Sequence, residues 1–199
     1  MKAALLVIDV QRIYTDSDSE MHCEDSRSTV RRINTLIDRY KDEGLPIIFV
    51  RHIHKADGSD LGRMFDYAGD DDSEFNFREG TPEVEYDSTL RRPDGAQEIV
   101  KTRYSAFVGT DLDRRLRSAR VECVVICGFM TNFCCESTAR SAHDLDYFVD
   151  FVVDATGTPG TDNLDESKVR SVVSDLLSAG FGQVMTTRSH LGRMWPGSR

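Results

Sequence analysis

Three polar residues stand where buried strands are expected to end: Asp9 after Leu-Leu-Val-Ile, Lys101 after Glu-Ile-Val, and Cys134 six residues past Gly128. A carboxylate, an ammonium and a thiol supply a base, a cation and a nucleophile, the set needed for covalent attack on a carbonyl. Cys134 lies in Gly128-Phe-Met-Thr-Asn-Phe-Cys-Cys-Glu136, at a strand-to-helix junction. In the first turn of a helix a cysteine feels the positive end of the dipole and unpaired N–H groups, which favour the thiolate. The same N–H groups can hold an oxyanion. Cysteines at such junctions also simply pack, and Asp9 or Lys101 taken singly could be a structural ion-pair partner. An acid closing an apolar strand must nevertheless be solvated, paired or functional, because burying it alone is costly.

The elements that would position these groups follow from periodicity. Residues 3–10 form an apolar run that suits a strand buried on both faces of a parallel sheet. Val30, Ile33, Ile37 and Tyr40 recur at helical spacing over 26–43, with Gly44 as the stop. Further strands are expected at 45–50, 98–101, 121–128, 147–155 and 183–187. Helices are expected from a Thr110 cap, over 132–143, and on a stripe of Val169, Val172, Val173, Leu176 and Leu177 stopped at Gly180. The alternation predicts an α/β fold, a three-layer arrangement with a mainly parallel six-stranded sheet and helices on both faces. In such sheets chemistry gathers beyond the carboxyl ends of the strands. Residues 52–95 lack periodicity and are expected to shape the substrate cleft, whereas the acidic cluster Asp70-Asp71-Asp72 reads as a solvated turn. Residues 188–199 form a tail, in which Trp195 suits docking on a neighbouring subunit.

The 199 residues fit one domain, 1–199, able to bury roughly 70% of its unfolded surface. A composition of 39% hydrophobic and 30% charged residues suits a folded chain. Thirty-four acidic against 25 basic residues, a net charge of −9, argue against binding nucleic acid or a membrane surface. No apolar run approaches the roughly 20 residues needed to span a bilayer. Five cysteines form an odd set without a secretory signal, so free thiols and a cytoplasmic location are expected. Cys123 and Cys127 alternate along a strand as core residues, and Cys135 reads as a packed thiol diverging from Cys134.

Leu-Leu-Val-Ile-Asp-Val-Gln at 5–11, Val-Lys-Thr-Arg-Tyr-Ser-Ala-Phe at 100–107 and Gly-Phe-Met-Thr-Asn-Phe-Cys-Cys-Glu-Ser-Thr-Ala-Arg at 128–140 resemble, in order, the signature segments of the isochorismatase-like cysteine hydrolases. The resemblance implies a Rossmann-like fold and an Asp9–Lys101–Cys134 catalytic triad that cleaves amide, ureido or nitrile-like C–N bonds through a thioester. It also implies a cis peptide at Met130–Thr131 that turns the Thr131 N–H toward the oxyanion beside that of Cys134. Dimers or tetramers are common in the family, so a homo-oligomer is expected.

Members that cleave a vinyl ether lack the nucleophilic cysteine, which makes an isochorismatase-type ether hydrolase the alternative. A binding protein on the same fold is another, since fold does not fix function. Nicotinamidase-type members bind a divalent metal through Asp-x-His and a further histidine. This chain has His52-Ile-His54 there, and no cofactor is expected. His54-Lys-Ala-Asp-Gly-Ser-Asp60 is similar to a loop of metal-free ureido-type members, although Asp-Gly-Ser is also ordinary turn chemistry. Gln11, Tyr14, Tyr104, Phe107 and Phe133 are candidate pocket walls for a small-molecule substrate. His22, His143 and His190 form no constellation.

Overall fold

A computed structural model describes residues 1–64 and 75–193. The acidic cluster 70–72 and Trp195 lie outside the described residues. Six strands, β1 (Ala3–Ile8), β2 (Ile47–His52), β3 (Gln97–Lys101), β4 (Cys123–Phe129), β5 (Phe148–Gly157) and β6 (Gln183–Met185), pair in the order β3-β2-β1-β4-β5-β6. Every pairing is parallel. The helices are α1 (Arg12–Thr15), α2 (Ser26–Asp42), α3 (Leu112–Ser118), α4 (Glu136–Asp144), α5 (Glu166–Gly180) and α6 (Thr187–Leu191). The α/β, Rossmann-like expectation is met.

β1 explains the three layers. Its Ala3, Leu5 and Val7 pack with Val30, Ile33 and Ile37 of α2 on one face. Its Ala4, Leu6 and Ile8 pack with Leu116 of α3, Ala139 of α4 and Val173 of α5 on the other. A leucine or isoleucine so buried contributes about 1.5–3 kcal/mol, so a two-faced strand anchors both layers.

Several boundaries move for physical reasons. β2 runs two residues past Val50 because its pairing with β3 continues through Arg51 and His52, whose backbone is also held by Gln11, which donates to the His52 carbonyl at 3.0 Å and accepts its N–H at 2.8 Å. β5 runs past Ala155 after its register with β4 shifts between Ile126 and Gly128. The helix expected from Asn132 begins as a π turn over Thr131–Cys135 before α4. Thr110 lies one residue before Asp111, the N-cap of α3; its hydroxyl accepts, at 3.3 Å, the Leu112 N–H that opens the helix and donates to the Ala106 carbonyl at 2.6 Å. On α5, Val169, Val173 and Leu177 are buried, whereas Val172 and Leu176 are 46% and 49% exposed. Only the i, i+4 row of that stripe meets the sheet.

The order of the strands reverses between β1 and β4, where α/β sheets open a crevice at their carboxyl ends. Gly128 makes the two strand ends meet. It has φ +125°, and a Cβ there would lie 1.8 Å from the Ile8 carbonyl oxygen. No helix among the described residues is long and apolar enough to cross a membrane.

Candidate active site

Asp9, Lys101 and Cys134 come from three different elements and meet at this crevice. Asp9 follows β1 with φ +48°, while its N–H still donates to Val50 at 2.9 Å, so the turn begins at the last ladder bond. Lys101 ends the edge strand β3, paired in register with His52 of β2. Its flexible stem carries the ammonium across β2 toward β1 and the turn after β4. Lys101 Nζ lies 2.8 Å from Asp9 Oδ2 and donates to Cys134 Sγ at 3.2 Å. All three residues are at most 1% exposed.

Burial sets the electrostatics. Loss of water pushes the Asp9 carboxyl above its ordinary range, with Lys101 pulling the other way. The Lys101 ammonium is opposed first by burial, but Asp9 and Cys134 together hold it above its ordinary value. Burial pushes the Cys134 thiol up to about 12, again against Lys101 and with Asp9 adding to the rise. The sequence expectation of a thiol favoured as thiolate by a helix terminus is thus corrected: the residue is buried in a π turn, and desolvation of the anion outweighs the neighbouring ammonium. Written as carboxylate, ammonium and thiol, the set carries no net charge. Moving the thiol proton to Asp9 leaves the net charge of the buried set unchanged, so the transfer costs no additional buried charge.

A cavity of about 280 Å³ opens on Cys134, walled by Tyr14, His52, Phe77, Tyr104, Met130 and Phe133 among others. Tyr14, Tyr104 and Phe133 therefore stand where pocket walls were expected. Tyr104 and Phe133 meet as a tilted pair with centroids 5.1 Å apart. Gln11 does not line the cavity, because its amide is spent on His52 and on the Val84 carbonyl at 2.9 Å. Phe107 is also displaced, its ring stacking on Tyr147 at 6.0 Å against the opposite core.

The cis peptide lies at Phe129–Met130, not at Met130–Thr131. Met130 is instead the extended residue that caps the π turn, and its carbonyl accepts from the N–H groups of Phe133 and Cys135 at 3.2 and 3.1 Å. The Met130–Thr131 unit is thus the first of the turn. No sequence signal marks a cis bond before a residue other than proline.

Sequence reasoning missed how His52 and His54 are used. His52 Nε2 lies 3.0 Å from His54 Nε2, and His54 Nδ1 lies 3.3 Å from Asp60 Oδ1. Phe77 stacks on His52 at 4.3 Å. Among the described residues no cluster of three ligand atoms includes both imidazoles: Asp60 meets only the far nitrogen of His54, and the two Nε2 atoms face each other, so the pair does not fit a metal centre. Asp9, His52 and Cys134 offer ligand atoms within 4.8 Å of one another, but the Lys101 ammonium occupies the space a cation would need. The His-x-His spacing was the available signal, and it points to a pair on one face without saying what the pair does. All five cysteines are free and buried.

Residues 3–189 match the model of the isochorismatase domain family. Nicotinamidase 3 of Arabidopsis thaliana is 34% identical over 158 residues, 78% of this chain and 73% of the plant protein. A ureidoacrylate amidohydrolase of Agrobacterium fabrum is 36% identical over 94 residues, 47% of this chain and 39% of its own length. The crystal structure of a cysteine hydrolase from Pseudomonas syringae pv. phaseolicola superposes with a TM-score of 0.89 at 28% identity, covering 96% of this chain and 91% of that one. With motif, sheet order and relatives in agreement, this chain belongs to the isochorismatase family of hydrolases.

Proposed function

We propose that this protein is a cysteine hydrolase cleaving the C–N bond of a small amide or carbamoyl, ureido-type compound through a thioester on Cys134. The observation that carries the reading is the buried Asp9–Lys101–Cys134 set, charge-balanced and open to a small cavity. The Cys134 thiol passes its proton to Asp9 as Sγ bonds to the carbonyl carbon. The C–N bond then breaks, Asp9 returns that proton to the leaving nitrogen, and the acyl group stays on sulfur. Asp9 next takes a proton from water, whose oxygen displaces the sulfur, and the thiol is restored. Lys101 remains an ammonium throughout, holding the carboxylate and stabilising the developing thiolate. The N–H groups of Thr131 and Cys134 are assigned as oxyanion donors.

The cavity is at the small end for ligand sites, which supports a compound of few heavy atoms. The ureidoacrylate amidohydrolase and nicotinamidase relatives support a C–N bond as the target. The test is ammonia release across a panel of small primary amides and ureas. Cys134→Ala is expected to lower kcat by about 10³-fold or more; undiminished release in that variant would overturn the mechanism. We also propose a homo-oligomer, supported by exposed apolar side chains, Val100 and Val108 at 49% and 52% exposure.

A further inference from the structure

His52 is fully buried, lines the cavity, and places a ring nitrogen within 4.8 Å of an Asp9 oxygen and of Cys134 Sγ. No step of the proposed reaction uses it. Its protonation can be read from the chain of contacts that ends on it. The Asp60 carboxylate accepts the Lys55 N–H at 3.1 and 3.2 Å, so facing His54 Nδ1 it can only accept. Burial lowers the His54 imidazole against the pull of Asp60 and keeps it neutral, so with its proton on Nδ1 its Nε2 is a lone pair. That lone pair faces His52 Nε2 at 3.0 Å, so His52 must carry its proton on Nε2. What remains is His52 Nδ1, a bare acceptor with no hydrogen-bond partner among the described residues.

The ring is held still for this purpose. Phe77 stacks on it with planes 11° apart, and Gln11 grips the His52 backbone on both sides. Burial holds the imidazole well below its ordinary range, the ammonium of Lys101 acting in the same direction, so it stays neutral. A buried acceptor without a partner carries a desolvation cost unless a ligand supplies a donor.

We propose that the Asp60–His54–His52 relay fixes His52 as the substrate-orienting acceptor of the cleft, its Nδ1 receiving an N–H of the amide or carbamoyl substrate. Asp60 and His54 are positioning residues, since they act through His52. The role rests on the hydrolase reading above, and it deepens that reading by selecting substrates with an N–H beside the carbonyl over esters of the same acyl group.

Two measurements test it. The first needs no substrate: long-range ¹H–¹⁵N correlation of histidine-labelled protein, with His52 assigned through His52→Phe. The expected spectrum shows His52 protonated on Nε2 alone, and Asp60→Ala is expected to mix the two tautomers. A proton on Nδ1, or a charged ring at neutral pH, would overturn the relay. The second compares one acyl group presented as a primary amide and as its p-nitrophenyl ester. The amide-to-ester ratio of kcat/KM is expected to fall about 10- to 100-fold in His52→Phe, the cost of one buried hydrogen bond. His52→Asn, whose side-chain oxygen can stand near the Nδ1 position, is expected to restore much of that ratio. An unchanged ratio in His52→Phe, with both substrates slowed alike, would make the residue merely structural. Amide turnover surviving Cys134→Ala would sink the hydrolase reading instead, while the spectrum still decides the relay.

Discussion

Asp9 and Lys101 act on the Cys134 thiol with opposite signs, and this separates labelling from turnover. Asp9 raises the thiol and Lys101 lowers it. In Asp9→Asn the negative neighbour is gone, so iodoacetamide alkylation of Cys134 at pH 8 is expected to accelerate although hydrolysis is lost with the proton acceptor. In Lys101→Met alkylation is expected to slow. Mass-spectrometric mapping of each cysteine checks both, and the same direction of change in the two variants would contradict the arrangement. Either variant breaks a buried ion pair, so a stability loss of about 3–5 kcal/mol should accompany it. Asp9, Lys101 and Cys134 were legible in the sequence because each interrupts or follows an apolar run. The role of Gln11 was not, since its contacts are to the backbone of residues 41 and 73 positions away.

At the level of elements, the meeting of β1 and β4 governs whether the site exists at all. Gly128 cannot carry a side chain there, on grounds of both its φ and the closeness of Ile8. Gly128→Ala is expected to cost about 3 kcal/mol or more in urea unfolding, because the two central strands must part to admit one methyl group. A midpoint equal to that of the unaltered protein would show that the strand ends yield freely. Strand and helix positions were legible from period and from turn residues. The π turn at Thr131–Cys135 was not, because its apolar pattern does not distinguish it from an ordinary first helical turn.

For the molecule as a whole, burial of all five thiols makes stability depend on alkaline pH. Every one of them is raised above the ordinary value of 9.0, desolvation being the leading cause. The native state thus keeps protons that the unfolded chain releases from about pH 9. The stability this provides is full below pH 9 and declines as pH climbs toward the folded values. Each thiol contributes up to about 1.4 kcal/mol per pH unit within that window. The urea midpoint is expected to drop steeply between pH 9 and 11; a flat or rising midpoint there would contradict the burial. For assembly, light scattering on a size-exclusion column is expected to report a dimer or tetramer, and a 22.5 kDa species would remove the homo-oligomer proposal.

The succession of buried strands along the chain, the two-faced burial of β1 and the placing of Asp9, Lys101 and Cys134 at strand ends are local properties. They are written in periodicity and in polar residues that break apolar runs, whereas the grouping of those three residues as a triad came from the family resemblance. The protonation of Cys134, the bare nitrogen of His52 and the composition of the cavity wall are not local. They depend on how much water remains and on which distant groups face one another: Asp60 reaches His52 through His54, and Lys101 reaches Cys134 across two neighbouring strands. Desolvation and hydrogen-bond direction arise only when the sheet closes, and so only the tertiary structure could decide them.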